Sequence, residues 1–270
     1  MKIISFMNLK GGTGKTASVI TLGHILSTMD KKVLLIDNDP QANLTSLLQD
    51  ETNPLDNYMS LLKGQIVNDQ NTITELYEND KKCIKECIRK SAYKNLDYIP
   101  SNLILSKAEE LLKADVTTPQ QYKLKNHLNK IKNNYDYIII DCSPALSILN
   151  INALVSSDLV YIPTRTDEGS LDGVAMTFDL VENVKQYCMT LHVGGIFFTA
   201  YNEREKASIT AQNLLNMSLA KYLLPFNIGV ATMIKRIGTD KKMLLEQDKN
   251  HKVTHAYVDF AKMIIGMEEE

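Results

Sequence analysis

The sequence predicts an α/β fold, with a mostly parallel, twisted sheet and helices on both faces. Three observations predict it. Short apolar runs alternate with helical patterns from end to end of the 270 residues. The runs are continuous rather than alternating, which marks strands buried on both faces. The first run leads straight into a glycine-rich turn and then a helical pattern, so a strand, a tight turn and a helix N-terminus are joined without a spacer.

The elements follow in order. Residues 3–7 read as the first strand and 15–29 as the helix after the turn. Residues 33–36 are a buried strand ending at Asp37. The stretch 50–95 is polar and rich in Asn, Asp and Lys, and reads as an excursion from the sheet. Strands recur at 96–99, before Pro100, and at 137–140, closing on Asp141. Two more are expected at 159–162, stopping at Pro163, and at 193–199. Helices are predicted at 106–113, 120–132, 147–156, 171–187, 206–220, 239–247 and 254–265. The length suits one domain over 1–270, and ligands are expected outside the carboxyl ends of the strands.

Composition narrows the function classes. With 44% hydrophobic residues the chain can bury a sizeable core, and its net charge is only -2. Cys83, Cys87, Cys142 and Cys188 have neither disulfide nor zinc spacing, which suits a reduced, cytoplasmic protein. No leader is expected ahead of the first strand, and no apolar run approaches the roughly 18 residues of a membrane span.

The turn Leu9-Lys10-Gly11-Gly12-Thr13-Gly14-Lys15-Thr16 carries the chemistry. Glycines let main-chain N–H groups close around phosphate oxygens, the helix start adds partial positive charge, and Lys15 adds a full one. The usual phosphate-loop pattern asks for Gly where Leu9 stands. A second lysine, Lys10, stands at the front of the loop instead. Two lysines this close repel each other unless an anion lies between them. Lys10 therefore serves the phosphates of its own subunit or those of a partner. Acidic residues close the strands nearby. A nucleoside triphosphate brings Mg2+, which takes oxygen ligands and keeps several waters. Thr16 supplies a hydroxyl, Asp141 is placed to hold the metal through water, and Asp37 is a further metal-side or structural carboxylate. Asp39, carried beyond the strand end, is the candidate to orient an attacking water. A lone Asp at a strand end is common turn chemistry. Behind this loop, Asp39 and Asp141 have mutually dependent roles. Asn202 is placed to read an adenine edge, or is a plain loop residue.

The loop from Lys10 to Thr16 resembles the deviant Walker A motif of ParA/Soj/MinD-type ATPases. The segments Leu34–Asn43, Tyr135–Pro144 and Leu96–Leu103 are similar to three further segments of that family, in order. The resemblance runs from residue 1 to about 265. It implies a P-loop ATPase fold and weak ATP hydrolysis in a homodimer formed around two ATP molecules with Mg2+. Lys10 would reach across the interface, Lys15 and Thr16 would hold phosphate and metal, and Asp39 would hold the water. Gly11, Gly12, Thr13 and Gly14 would line the phosphates. Ala17 stands where members usually carry Thr or Ser, so one α-phosphate contact is missing. The residues from Asp167 to Gly173 match the family only loosely.

The ParA branch implies non-specific DNA binding and a ParB-like centromere-binding partner that stimulates hydrolysis, with a cytoplasmic or nucleoid-associated location. Residues 200–255 are locally basic, and Lys235, Arg236, Lys241 and Lys242 are the candidates for phosphate contact. The MinD branch needs a basic amphipathic C-terminal helix. This chain ends in Glu268-Glu269-Glu270, which disfavours an anionic membrane. A positioning ATPase acting on a protein or membrane scaffold without DNA is the alternative. A metabolic phosphate-transferring enzyme is a third.

Overall fold

The computed structural model describes residues 1–49 and 71–267. Seven strands form one sheet in the spatial order β3-β4-β2-β5-β1-β6-β7. They are β1 (Lys2–Phe6), β2 (Val33–Asn38), β3 (Arg89–Lys90), β4 (Leu96–Ile99), β5 (Tyr137–Cys142), β6 (Leu159–Thr164) and β7 (His192–Phe198). Every pairing is parallel except the short edge pair β3–β4. The alternating apolar residues of the central strands divide between two cores. Ile3, Leu34, Ile36, Ile138 and Ile140 face one, while Ile4, Phe6, Leu35, Tyr137 and Ile139 face the other. Burial on both faces is the reason these strands are apolar without interruption.

One core is covered by α3 (Ile73–Glu78), α5 (Leu105–Ala114), α6 (Lys123–Leu128), α7 (Ile148–Ser156), α8 (Glu168–Val184) and α9 (Lys206–Leu219). The other is covered by α1 (Lys15–Thr28), α2 (Asn43–Leu48), α10 (Thr232–Asp240), α11 (Leu244–Gln247) and α12 (Lys252–Gly266). A one-turn helix, α4 (Ile84–Cys87), precedes β3.

The differences from the expected elements have local causes. The helix expected at 239–247 does not form. The chain makes α10 and α11 instead, because Lys241 adopts a left-handed backbone (φ 50) that ends α10. The helix expected at 120–132 is one α-turn region between two 3-10 segments, Gln120–Tyr122 and Asn129–Ile131. The helix expected from 171 begins at Glu168, since the Asp167 carboxylate caps it by accepting from the Ser170 N–H at 3.1 Å. β2 and β5 run one or two residues further than expected, so Asp37 and Asp141 lie inside paired strands. Residues 50–70 of the expected excursion lie outside the described residues, as do Glu268–Glu270. The described part of the excursion, residues 71–95, holds α3, α4 and the added edge strand β3.

Candidate functional site

The glycine-rich turn joins the carboxyl end of β1 to α1. Gly12 (φ 76) and Gly14 (φ 84) both take the left-handed conformation that favours glycine. Gly14 is also the N-cap of α1, so the helix opens with its first N–H groups free of any side-chain cap. From the other side Thr199 braces the turn, donating its hydroxyl to the Thr13 carbonyl at 2.9 Å. Gly11 and Gly12 are exposed, Thr13 is buried, and Thr16 and Ala17 are half-buried. The result is a ring of main-chain donors at a helix N-terminus, which is the form an anion site takes.

The two lysines of the turn are held differently. Lys15 is 7% exposed, and its ammonium donates to the carbonyls of Asn8 at 3.0 Å and Lys10 at 2.9 Å. Burial pulls its pKa down, and the nearby Asp141 carboxylate opposes that shift. Lys10 is exposed, and its side chain runs along the first turns of α8. A Cβ at Gly169 would sit 3.2 Å from the Lys10 Nζ, and one at Gly173 would sit 3.0 Å from the Lys10 Cβ. Two glycines one helical turn apart thus make room for the lysine.

Asn8 links these parts. It is fully buried, and its Nδ2 donates to the carbonyls of Pro163 at 3.0 Å and Ser170 at 3.4 Å. Its Oδ1 accepts from the Lys10 N–H at 3.0 Å. One amide therefore ties the front of the turn to the end of β6 and the start of α8. Sequence reasoning passed over Asn8, Thr199 and Thr45. A buried-type position holding Asn directly ahead of a glycine turn was the one signal for Asn8. Nothing local marked the threonines.

The acidic residues separate into three environments. Asp141 pairs in register with Phe6 of β1 and Asp37 of β2, so all three stand at one level of the sheet. Asp141 is 1% exposed, and the groups acting on its carboxylate are the Thr16 hydroxyl and the Lys15 ammonium, with no close hydrogen bond from either among the described residues. Burial pushes its pKa well up, and Asp37 adds to the rise. The Thr16 side chain and Lys15 favour its charged form. A buried carboxylate without a close hydrogen bond, beside a hydroxyl and an ammonium, fits a bound cation. Thr16 and Asp141 are thus brought together as the sequence predicts.

Asp37 differs. Its Oδ2 accepts from the Thr45 N–H at 2.8 Å and hydroxyl at 2.7 Å, and its Oδ1 accepts from the Asp39 N–H at 3.2 Å. Burial raises its pKa to about 6 against the pull of those bonds. Its oxygens hold α2 and the turn after β2 in place. Asp39 is half-buried just past β2, and its Oδ1 accepts from the Gln41 N–H at 2.9 Å.

The outlying candidates lie further off. Asn202 lines an open cleft of about 630 Å³ with Tyr201, Phe226 and Val230. Its amide is used locally, donating to Glu205 at 3.0 Å and accepting from the Arg204 N–H at 3.2 Å. Lys235 and Arg236 project from the outer face of α10, opposite Met233 and Ile237. Lys242 is exposed, whereas Lys241 is half-buried and its ammonium donates to the Gln49 carbonyl at 2.9 Å. Among the described residues no helix is long and apolar enough to cross a membrane.

Known proteins resemble this chain in sequence and in fold. A family model described as an AAA domain matches residues 1–192. The chain is 31% identical to the sporulation initiation inhibitor protein Soj of Bacillus subtilis, over 97% of this chain and 98% of that one. It is 37% identical to the chromosome-partitioning ATPase Soj of Treponema pallidum, over 76% of this chain and 74% of that one. Its fold matches cobyrinic acid a,c-diamide synthase of Mycobacterium smegmatis, solved with an ATP analogue and magnesium, at a TM-score of 0.80. That match is 23% identical and covers 100% of this chain and 96% of the other.

Proposed function

Because this chain belongs to the ParA/Soj family of partition ATPases, we propose that it is an ATP-driven dimer switch for DNA segregation. The observation that carries the proposal is the buried Asp141 carboxylate, with the Thr16 hydroxyl and the Lys15 ammonium beside it, next to a glycine turn that holds two lysines.

In this reading ATP enters the ring of main-chain N–H groups from Gly11 to Thr16. Its phosphate oxygens take the Lys15 ammonium from the carbonyls of Asn8 and Lys10. Thr16 and Asp141 hold Mg2+, with Asp37 positioned behind them. Bound there, Mg2+ would supply positive charge to the phosphate oxygens. Asp39 accepts a hydrogen bond from the attacking water. Lys10 leaves the groove over Gly169 and Gly173 and reaches the phosphates bound by a second copy, much as an arginine finger does. Leu146, 67% exposed in the turn after β5, offers an apolar contact to that copy. Asn202 faces the adenine, and Ala17 leaves the α-phosphate one hydroxyl short.

The ATP dimer then binds DNA non-specifically, doubling the surface that carries Lys235, Arg236 and Lys242. A ParB-like centromere-binding protein stimulates hydrolysis and release. The protein acts as a single domain in the cytoplasm, associated with the nucleoid. The test is sedimentation with and without ATP, followed by DNA binding at moderate salt. Dimers that form on ATP and retain DNA support the reading. ATP dimers that ignore DNA but bind liposomes or a protein scaffold favour a MinD-like positioning ATPase. Steady phosphate transfer to a metabolite would point to a biosynthetic enzyme.

A further inference from the structure

A second charged feature lies at the opposite pole of the sheet from the phosphate loop. An open cleft of about 600 Å³ sits where β2, β4 and β5 begin. Lys32 enters it just before β2, Lys90 and Lys94 come from the β3–β4 hairpin, and Tyr93 and Tyr135 form its aromatic walls. The carboxylate that lines it is Asp97, 7% exposed. The Asp97 Oδ2 accepts from the Lys90 ammonium and from the Tyr135 hydroxyl, each at 2.7 Å. That charge is consumed in building the wall. Lys32 and Lys94 are exposed, and among the described residues neither forms an ion pair. The exposed Asp136 accepts from the Lys32 main-chain N–H, which lowers the positive excess without cancelling it.

The cleft also continues toward the basic C-terminal segment. The Tyr93 hydroxyl donates to the Lys241 carbonyl at 3.4 Å and to Glu246 at 3.2 Å. Its ring meets the edge of His24, with centroids 4.6 Å apart, on the helix that starts at the phosphate loop. The Glu246 carboxylate at Tyr93 interrupts the positive surface there, so the cations free in the cleft itself, among the described residues, are Lys32 and Lys94. Two such lysines spread over an open cleft with amides at its rim suit an extended phosphate backbone. Amides such as Asn95 and Asn134 at the rim are among the groups that contact sugar–phosphate backbones.

We propose that this cleft is a phosphodiester-binding surface, in which Lys32 and Lys94 contact the backbone of duplex DNA. The proposal rests on the reading that the ATP form binds DNA, and it moves part of the interface to residues that sequence charge runs did not mark. Each neutralised phosphate releases counterions and steepens the salt dependence by about 0.9 in log–log slope.

The experiment measures duplex binding against salt concentration for the full chain with ATP and Mg2+. It compares the parent, a Lys32→Ala/Lys94→Ala variant, a Lys32→Arg/Lys94→Arg variant and a Lys235→Ala/Arg236→Ala variant. The expected result is a slope about 1.8 lower for the first variant and an affinity lower by roughly ten-fold at moderate salt. The arginine variant restores both, while basal hydrolysis and ATP-dependent sedimentation match the parent. If the parent binds DNA and the Lys32/Lys94 variant keeps its slope and affinity, the cleft proposal falls and the partition reading stands. If the parent ignores DNA, both fall. If the variant instead loses only binding to phosphatidylserine vesicles, the cleft is a lipid site and the proposal is overturned.

Discussion

Asp37 and Asp141 face each other in register across β2 and β5, yet Asp37 takes close bonds from Thr45 and Asp39, while Asp141 has only the Thr16 hydroxyl and the Lys15 ammonium near it. The contrast predicts opposite responses to substitution. Asp141→Asn removes a carboxyl whose ionisation burial already penalises, so without Mg2+ the protein unfolds at equal or higher denaturant. Its Mg2+-dependent nucleotide affinity falls by roughly 10–100-fold, the scale seen when the groups supporting a metal are lost. Thr45→Val strips the hydroxyl donor from Asp37, leaving the main-chain N–H, and costs about 1–3 kcal/mol. Urea unfolding and nucleotide titration read both. A marked loss of metal-free stability in Asp141→Asn would count against the cation site.

Gly173→Ala tests the contact between the turn and α8. A Cβ there would collide with the Asn8 Oδ1, and both residues are buried. Alanine gains about 1 kcal/mol of helix propensity over glycine. Displacing a buried amide that makes three bonds outweighs it, with an expected net loss of about 1–3 kcal/mol. Nucleotide affinity should fall as well, because Asn8 also fixes the Lys10 main chain. Unchanged melting with unchanged affinity would mean the helix shifts freely.

The two lysines should separate binding from assembly. Lys15→Ala removes the buried ammonium and abolishes tight nucleotide binding by the monomer. Lys10→Ala leaves monomer binding within about two-fold of the parent, on the standing scale of context variation for an exposed charge, but prevents ATP-dependent dimers. Nucleotide titration and analytical ultracentrifugation distinguish them. A Lys10→Ala protein that dimerises and hydrolyses like the parent refutes the trans role.

Asp39→Ala should stall the cycle after assembly. The water loses its acceptor while the metal-side residues remain, so hydrolysis drops by about 10²-fold or more. ATP dimers persist, seen as a slower return to monomer after dilution. Rapid hydrolysis in this variant would assign the water to another residue.

His127 supplies a pH effect remote from the nucleotide. It is fully buried in α6. Burial lowers its pKa, with Lys130 adding to the shift and Asp80 and the Asn79 and Leu76 main chain opposing it. The unfolded chain therefore binds a proton more readily than the folded one. Stability from this site is present above about pH 6.5 and is lost as pH falls through the lower folded value. His127→Leu should flatten the decline in urea midpoint between about pH 7 and 5. A parallel decline in both proteins would place the acid sensitivity elsewhere, with the similarly shifted His24 as the next candidate.

Much of the architecture was legible because its signals are local. The apolar runs at β1, β2, β5 and β6 are continuous since each strand buries both faces. The start of α8 was missed by three residues because the Asp167 cap follows Pro163 and Arg165 rather than an apolar repeat. The break between α10 and α11 was missed because a left-handed lysine carries no sequence mark. The edge strand β3 is two residues long and gains its pairing only from β4.

By itself the sequence determined the strand–turn–helix order, the two lysines of the turn and the acids at the strand ends. Those features depend on neighbours within a few residues, and backbone geometry turns such spacing directly into shape. Only the tertiary structure decided how each acid is held, since Asp37 takes close bonds from Thr45 and Asp39, and Asp141 has only Thr16 and Lys15 near it. It also decided that Asn8 anchors Lys10 to α8, that Lys241 is tied to Gln49, and that Lys32 and Lys94 meet at one cleft. Each of these depends on donors or charges brought from far along the chain, and their partners are chosen by packing rather than by spacing.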